Sequence, residues 1–275
     1  MAWFGRRSMV LACTLSVVVV GPSRAQESKQ SFEPQVGQAG KDVVWVPTPE
    51  ALVEKMLDMA QVTSADVVMD LGSGDGRNVI AAAKRGARAI GVEFNPNMVE
   101  LSRRSAERAG VADKASFIEG DMYTADVSQA TVLALFLLST NLEKLTPTFL
   151  RMKPGTRIVD NTFTIPGWTP DRTETIDTDC TTWCTALLWI VPADVKGRWR
   201  FAEGELSLDQ SFQMVTGTLR IGGTATEIEH GRLTGDRITF TAGGVEYAGR
   251  VNGQTIDGAR KGGGTEAAWV AKLVR

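Results

Sequence analysis

The chain has 275 residues, 43% of them hydrophobic, enough to bury a core in one large domain or two smaller ones. Its 30 basic and 32 acidic residues nearly cancel, for a formal net charge of −2. That balance argues against a protein that grips nucleic acid by bulk charge, and Arg103-Arg104 and Arg260-Lys261 read as solvated surface.

In chain order, residues 1–25 carry Arg6 and Arg7, then the uncharged run SMVLACTLSVVVVG, then PSRA. A basic start, an apolar stretch and a small final residue describe a secretory signal cleaved near Ala25, or an uncleaved N-terminal anchor. The run is shorter than the roughly 20 residues of a comfortable membrane span. The arginine pair also fits a twin-arginine export signal. The expected location is exported or periplasmic, with membrane contact only through this segment if it stays attached. Residues 26–41, QESKQSFEPQVGQAGK, are polar and aperiodic and read as a flexible tether.

From residue 42 to about 193, strand and helix patterns alternate. Leu52, Val53, Met56, Leu57 and Ala60 recur at helical spacing, with Thr48 as the expected cap and Pro49 suited to the first turn. Short apolar runs at 67–71, 89–93, 115–118, 131–138 and 157–163 read as buried parallel strands. Between them lie helical stretches ended by Gly86 and Gly110, and one from near Asn141 that contains Pro147. This alternation predicts an α/β domain, a doubly wound, mainly parallel Rossmann-like sheet with helices on both faces. Cys180 and Cys184, in CTTWC, are too few for a metal site with the lone His230 so far away. They form either a local disulfide or two buried thiols, and a catalytic cysteine is not expected. Trp168 and Trp183 could wall a cleft, but core packing is the expectation for each.

Past Pro192 the texture changes. Residues 197–275 are rich in Gly and Thr, with short alternating runs punctuated by Gly222-Gly223, Gly235-Asp236, Gly243-Gly244 and Asn252-Gly253. They predict a small antiparallel β-domain, barrel or sandwich, and nothing in it looks catalytic.

The chemistry concentrates in VVMDLGSGDG, a strand running into a glycine turn and a helix. A dinucleotide turn needs G-x-G-x-x-G, but here Arg77 stands at the third position and Gly76 comes one residue early. Asp70 and Asp75 would repel a pyrophosphate and attract a cation, while N–H groups at the helix start can still hold a carboxylate. The ligand should therefore carry a cation beside a carboxylate, as an amino acid or S-adenosylmethionine does. Glu93 ends the next strand, where an acid can accept both hydroxyls of a ribose. Phe94 follows, placed to lie near a purine face. Asp121 ends the third strand, within reach of an exocyclic amino group, with Met122 beside it.

The motifs VVMDLGSGDG, IGVEFN and IEGDMY resemble those of class I S-adenosylmethionine-dependent methyltransferases, over about residues 42–193. With VPTP upstream, the chain looks most like small bacterial members related to protein-lysine methyltransferases. The resemblance implies that Asp70, Gly72, Ser73, Gly74 and Gly76 surround the methionine part, with Asp75 in the same turn. It implies further that Glu93 binds ribose, Phe94 and Met122 flank adenine, and Asp121 binds its amino group. Asn95 stands where many relatives have aspartate. The fourth strand runs into LFLLSTN, without the Asn/Asp-Pro-Pro-aromatic motif of methylases acting on planar nitrogens, so nucleobase and glutamine acceptors lose support.

The implied reaction is methyl transfer to a protein lysine or a small molecule, with no nucleic-acid partner. Thr48, Ser139, Thr140 and Asn141 are candidate cleft residues. Asn141 is the one catalytic candidate, although it could equally cap the following helix. The alternative is a non-catalytic exported protein that senses a nucleoside or binds a partner through its β-domain. An outward-pointing N-terminus gives that alternative its force, since S-adenosylmethionine is made in the cytosol.

Overall fold

A computed structural model describes residues 1–3, 5 and 32–274; the signal or anchor expected over 1–25 lies almost wholly outside the described residues. The apolar runs become strands β1 (Val67–Leu71), β2 (Arg88–Glu93), β3 (Ala115–Glu119), β4 (Val132–Leu135) and β5 (Arg157–Asn161). Helices α1 (Glu50–Met59), α2 (Arg77–Lys84), α3 (Pro96–Arg108) and α4 (Ser139–Phe149) alternate with them, Pro147 lying inside α4. Two further strands, β6 (Arg172–Thr175) and β7 (Thr185–Ile190), complete a seven-stranded sheet in the order β3-β2-β1-β4-β5-β7-β6. Strands β1 to β5 run parallel, and β7 runs antiparallel to both its neighbours.

Consecutive residues of the central strands feed opposite faces. Val68, Val132 and Ala134 join Leu52, Met56 and Val79 in one core cluster. Met69, Leu71, Leu133 and Leu135 join Leu142 and Phe149 in the other. Each such side chain contributes about 1.5–3 kcal/mol when fully buried, so sliding a strand by one residue would exchange the two faces and lose the register. Pro49 rather than Thr48 occupies the N-cap position of α1, and no side chain caps it. Thr48 is buried instead: its carbonyl accepts from Arg77 Nη1 at 2.6 Å, and its Oγ1 accepts from Asn161 Nδ2 at 3.5 Å.

The C-terminal region is a closed antiparallel barrel built from β8 (Gly197–Phe201), β9 (Gly204–Ser211), β10 (Met214–Ile221), β11 (Thr224–Glu227), β12 (Glu229–Thr234), β13 (Arg237–Ala242), β14 (Val245–Asn252), β15 (Thr255–Gly262) and β16 (Thr265–Leu273). Strands β11 and β12 share one edge of β10 and act as a single interrupted strand. The β10–β9 pairing closes the ring, leaving eight strands around it. Its interior is filled: Phe240 stacks on Tyr247 with ring centroids 4.7 Å apart, and Trp269 meets Tyr247 edge-on at 5.6 Å.

The barrel is fastened to the sheet domain next to β6. Trp168, buried as expected, stacks on Phe212 of the β9–β10 turn at 5.2 Å. Arg232 Nη2 pairs with Asp171 Oδ1 at 2.6 Å, and Gln213 Nε2 donates to the Thr169 carbonyl at 2.7 Å.

Candidate cofactor and acceptor site

Parallel strands deliver all their C-terminal ends to one edge of the sheet, which is where such sheets hold ligands. The turn after β1 is tied to β2, since Gly72 N and Ser73 N both donate to the Val92 carbonyl, at 2.8 and 3.0 Å. Gly74 and Gly76 have left-handed backbone, φ 53° and 81°. A Cβ on Gly74 would stand 2.8 Å from the Trp45 ring, and one on Gly76 would stand 2.7 Å from Phe117. Glycine is needed at both, for conformation and for space.

A cavity of about 230 Å³ opens at this edge. All the cofactor candidates line it except Gly76, which sits behind the turn at the N-cap position of α2. Glu93 braces the turn: Oε2 accepts from Gly74 N at 2.9 Å and Oε1 from Asn95 N at 2.8 Å. Ser73 Oγ is buried without a hydrogen-bond partner. Met122 is buried, and Phe94 stands exposed at the rim.

The acids differ in state. Burial pushes the Asp70 carboxyl up to about 8; the Asn78 Nδ2 hydrogen bond at 3.1 Å opposes the rise, and the neighbouring Glu93 and Asp75 add to it. Asp75 is not free to meet a ligand cation as the sequence suggested. Its carboxylate is gripped by Arg77, Nη2 to Oδ2 at 2.5 Å and Nε to Oδ1 at 3.0 Å. Asp121 accepts from Lys41 Nζ at 2.6 Å and from Tyr123 N at 2.9 Å, and the Lys41 hydrogen bond foremost holds it below the usual carboxylate range.

Lys41 belongs to the stretch expected to be a tether. From Gln35 onward that stretch is folded: Gly37 N donates to the Trp45 carbonyl and Trp45 N to the Gln38 carbonyl, both at 2.9 Å, and Ala39 bridges Val44. Gly40 through Thr48 form one wall of the cavity, with Lys41 Nζ 5.0 Å from the Phe94 ring centroid.

A second wall, past the ends of β4 and β5, is aromatic. Phe136, just past β4, stacks on Phe163 at 6.0 Å and meets Trp183 at 6.0 Å, and all three line the cavity. Trp183 is therefore not in the core: it is 41% exposed, on the loop closed by a Cys180–Cys184 disulfide. Asn141 does not reach the cavity, and neither do Ser139 and Thr140. Its Nδ2 donates to Tyr123 Oη at 2.7 Å, and Leu138, not Asn141, occupies the N-cap position of α4.

Sequence reasoning missed Asp160, near the end of β5. Burial raises its carboxyl well above the ordinary value, although the Leu137 N–H donates to Oδ2 at 3.1 Å, and Oδ1 has no partner. The available signal was a lone acid inside the apolar run RIVDN. Trp45, Phe136 and Phe163 carried no local signal, because their meeting depends on which loops the sheet order brings together.

Residues 70–172 match the ANTKMT methyltransferase domain family. A protein-lysine N-methyltransferase of Saccharolobus islandicus (strain REY15A) is 44% identical over 131 residues, spanning 46% of this chain and 81% of that protein. The adenine nucleotide translocase lysine N-methyltransferase of Mus musculus is 34% identical over 130 residues, spanning 46% of this chain but only 56% of its own length. The crystal structure of an RNA methyltransferase from Salinibacter ruber in complex with S-adenosyl-L-homocysteine is 43% identical, with a TM-score of 0.51, and the match covers 55% of this chain and 96% of that one. With the sheet order and the strand-end cavity already in view, the chain belongs to the class I S-adenosylmethionine-dependent methyltransferases related to protein-lysine N-methyltransferases.

Proposed function

We propose that this enzyme methylates a lysine side chain of another protein. The observation that carries the reading is the division of one cavity into an acidic, glycine-cradled side and an aromatic side lacking acids. The first side fits S-adenosylmethionine: the left-handed glycine turn would offer its backbone to an amino-acid end, and Asp70, lining the same side, would take up its charge on meeting an ammonium. Glu93 retains acceptor capacity for ribose hydroxyls, Asp121 for an exocyclic amine once Lys41 yields, and Phe94 and Met122 offer surfaces to a base. S-adenosylmethionine supplies a methyl group already activated on a sulfonium.

The protein's remaining task is to hold an acceptor in line and keep water out. Walls such as Phe136 and Phe163 disfavour the ammonium form of lysine and help it shed the proton that blocks attack. No side chain is needed as a strong base. Asn141, tied to Tyr123, supports the floor beside Asp121 rather than touching the acceptor. A protein lysine is favoured over a small molecule by the relatives named for lysine methylation.

The test is incubation of the full chain with methyl-labelled S-adenosylmethionine and a cell extract, followed by mass spectrometry. Methyl-lysine in an extract protein is expected, and label confined to small molecules would overturn the lysine reading. For location, export is the proposal. The Cys180–Cys184 disulfide supports it, since disulfides persist in oxidising compartments. A reporter fused to residues 1–30 should leave the cytosol; a purely cytosolic signal would overturn export.

A further inference from the structure

The aromatic wall depends on one short loop. Cys180 and Cys184 are bonded with Thr181, Thr182 and Trp183 between them. Asp179 and Trp183 both adopt left-handed backbone, φ 55° and 54°, a conformation that L residues rarely adopt without something enforcing it. The indole is held outward against the Phe136 ring at the cavity mouth, on the side away from Glu93 and Asp121. An exposed tryptophan held by a cross-link at the mouth of a site does not add to the core; it shapes what enters.

We propose that Trp183 is an acceptor-recognition residue, completing with Phe136 and Phe163 the channel by which a lysine side chain reaches the methyl donor. Cys180 and Cys184 act as positioning residues, because their disulfide keeps the indole there. The proposal rests on the lysine reading above. The apolar ring faces take the lysine stem and exclude water from its amine, the same desolvation that favours the neutral, attacking form. The three-residue loop between the cysteines has few conformations while the disulfide is closed. A dithiol reagent breaks the S–S bond, passing two electrons and two protons to the pair to give two thiols, and is itself oxidised to a disulfide. With the bond open, the loop loses the cross-link that restrains Trp183 in its left-handed conformation.

The experiment uses the full chain, oxidised, with Nα-acetyl-lysine methylamide as acceptor probe and methyl-labelled S-adenosylmethionine. Trp183→Ala should raise KM for the probe tenfold or more while leaving S-adenosylhomocysteine affinity within about twofold, and Trp183→Phe should recover most of the loss. Cys180→Ser with Cys184→Ser, or dithiothreitol on the wild type, should shift KM in the same direction. Dithiothreitol should do nothing further to Trp183→Ala. Independently of turnover, the probe should protect Trp183 from acrylamide quenching in the oxidised, S-adenosylhomocysteine-bound protein and not in the reduced one, read as wild type minus Trp183→Phe. Unchanged KM in Trp183→Ala, or equal dithiothreitol sensitivity in that variant and the wild type, would overturn the proposal alone. A wild type that binds S-adenosylhomocysteine yet neither methylates the probe nor has Trp183 protected by it would sink the lysine reading, and this proposal with it.

Discussion

The sheet domain packs an apolar cluster on each face of its sheet and the barrel packs a single one inside, and the two dispose of their strand ends in opposite ways. In the sheet, β1, β2 and β3 run parallel, so residues 70, 93 and 121 reach one edge although long helices separate them in sequence. In the barrel most strands return antiparallel through short turns such as Gly222-Gly223 and Gly243-Gly244, so neighbouring ends point opposite ways. Its inner positions are taken by Trp199, Phe240, Tyr247 and Trp269, packed against one another. Strand direction thus decides where chemistry can gather: parallel ends pool polar groups around a crevice, and a filled closed barrel offers only an outer surface.

That contrast predicts that stability and cofactor binding separate by region. The largest effect should come from the barrel core: Trp199→Ala, which empties a fully buried site, should cost about 3–5 kcal/mol by chemical denaturation. Protein that remains folded should still bind S-adenosylhomocysteine within about twofold. Loss of affinity in a folded Trp199→Ala variant would break the comparison. Glu93→Ala should do the reverse, weakening S-adenosylhomocysteine by about a hundredfold or more, roughly 2.7 kcal/mol, with a smaller loss of stability than Trp199→Ala, from the Gly74 and Asn95 N–H groups that lose their acceptor.

Arg232→Ala tests the seam between the regions. Its partner Asp171 is nearly buried but Arg232 is 41% exposed on its side chain, so solvent screening limits the loss to about 1 kcal/mol, read from the denaturation midpoint.

Asp70 sharpens the comparison through pH. An ordinary aspartate loses its proton near 3.8, whereas burial holds this one to about 8, so over that window the folded state binds the extra proton. Stability from this group is complete below the lower value and is lost as pH rises through the upper one. Asp70→Asn should flatten that decline in a melting series without abolishing it, because buried Asp160 is shifted in the same direction. The smallest effect expected is for Lys41→Met, which frees Asp121 and should tighten S-adenosylhomocysteine by about two- to fivefold at low salt, an exposed ion pair being weak.

Much of this was legible in the chain. The glycine turn, Glu93 and Asp121 were readable because each sits at a local strand-to-turn junction whose pattern spans ten residues or fewer. The antiparallel β-domain was readable from its paired glycines, whereas its closure into a barrel rests on the β9–β10 pairing. What escaped depends on contacts distant in sequence. Asp75 looked like a free acid because the guanidinium of Arg77, only two residues on, is set in place by the distant Thr48 carbonyl, 29 residues back, and so lies across the Asp75 carboxylate. The polar stretch before Asp42 looked like a tether because nothing local reveals that Lys41 will meet Asp121, 80 residues away. Strand β6, RTET, lacks an apolar run, being an edge strand with three of its four residues exposed. Asn141 suited a cleft by sequence position, but the helical turn directs it to Tyr123.

Calorimetric titration of S-adenosylhomocysteine into the full chain and its Glu93→Ala variant tests the central claim most directly. Binding in the micromolar range by the wild type, lost in the variant while the fold persists, is the predicted result; absent binding in the wild type, or equal affinity in both, would contradict a cofactor site built from the strand-end acids.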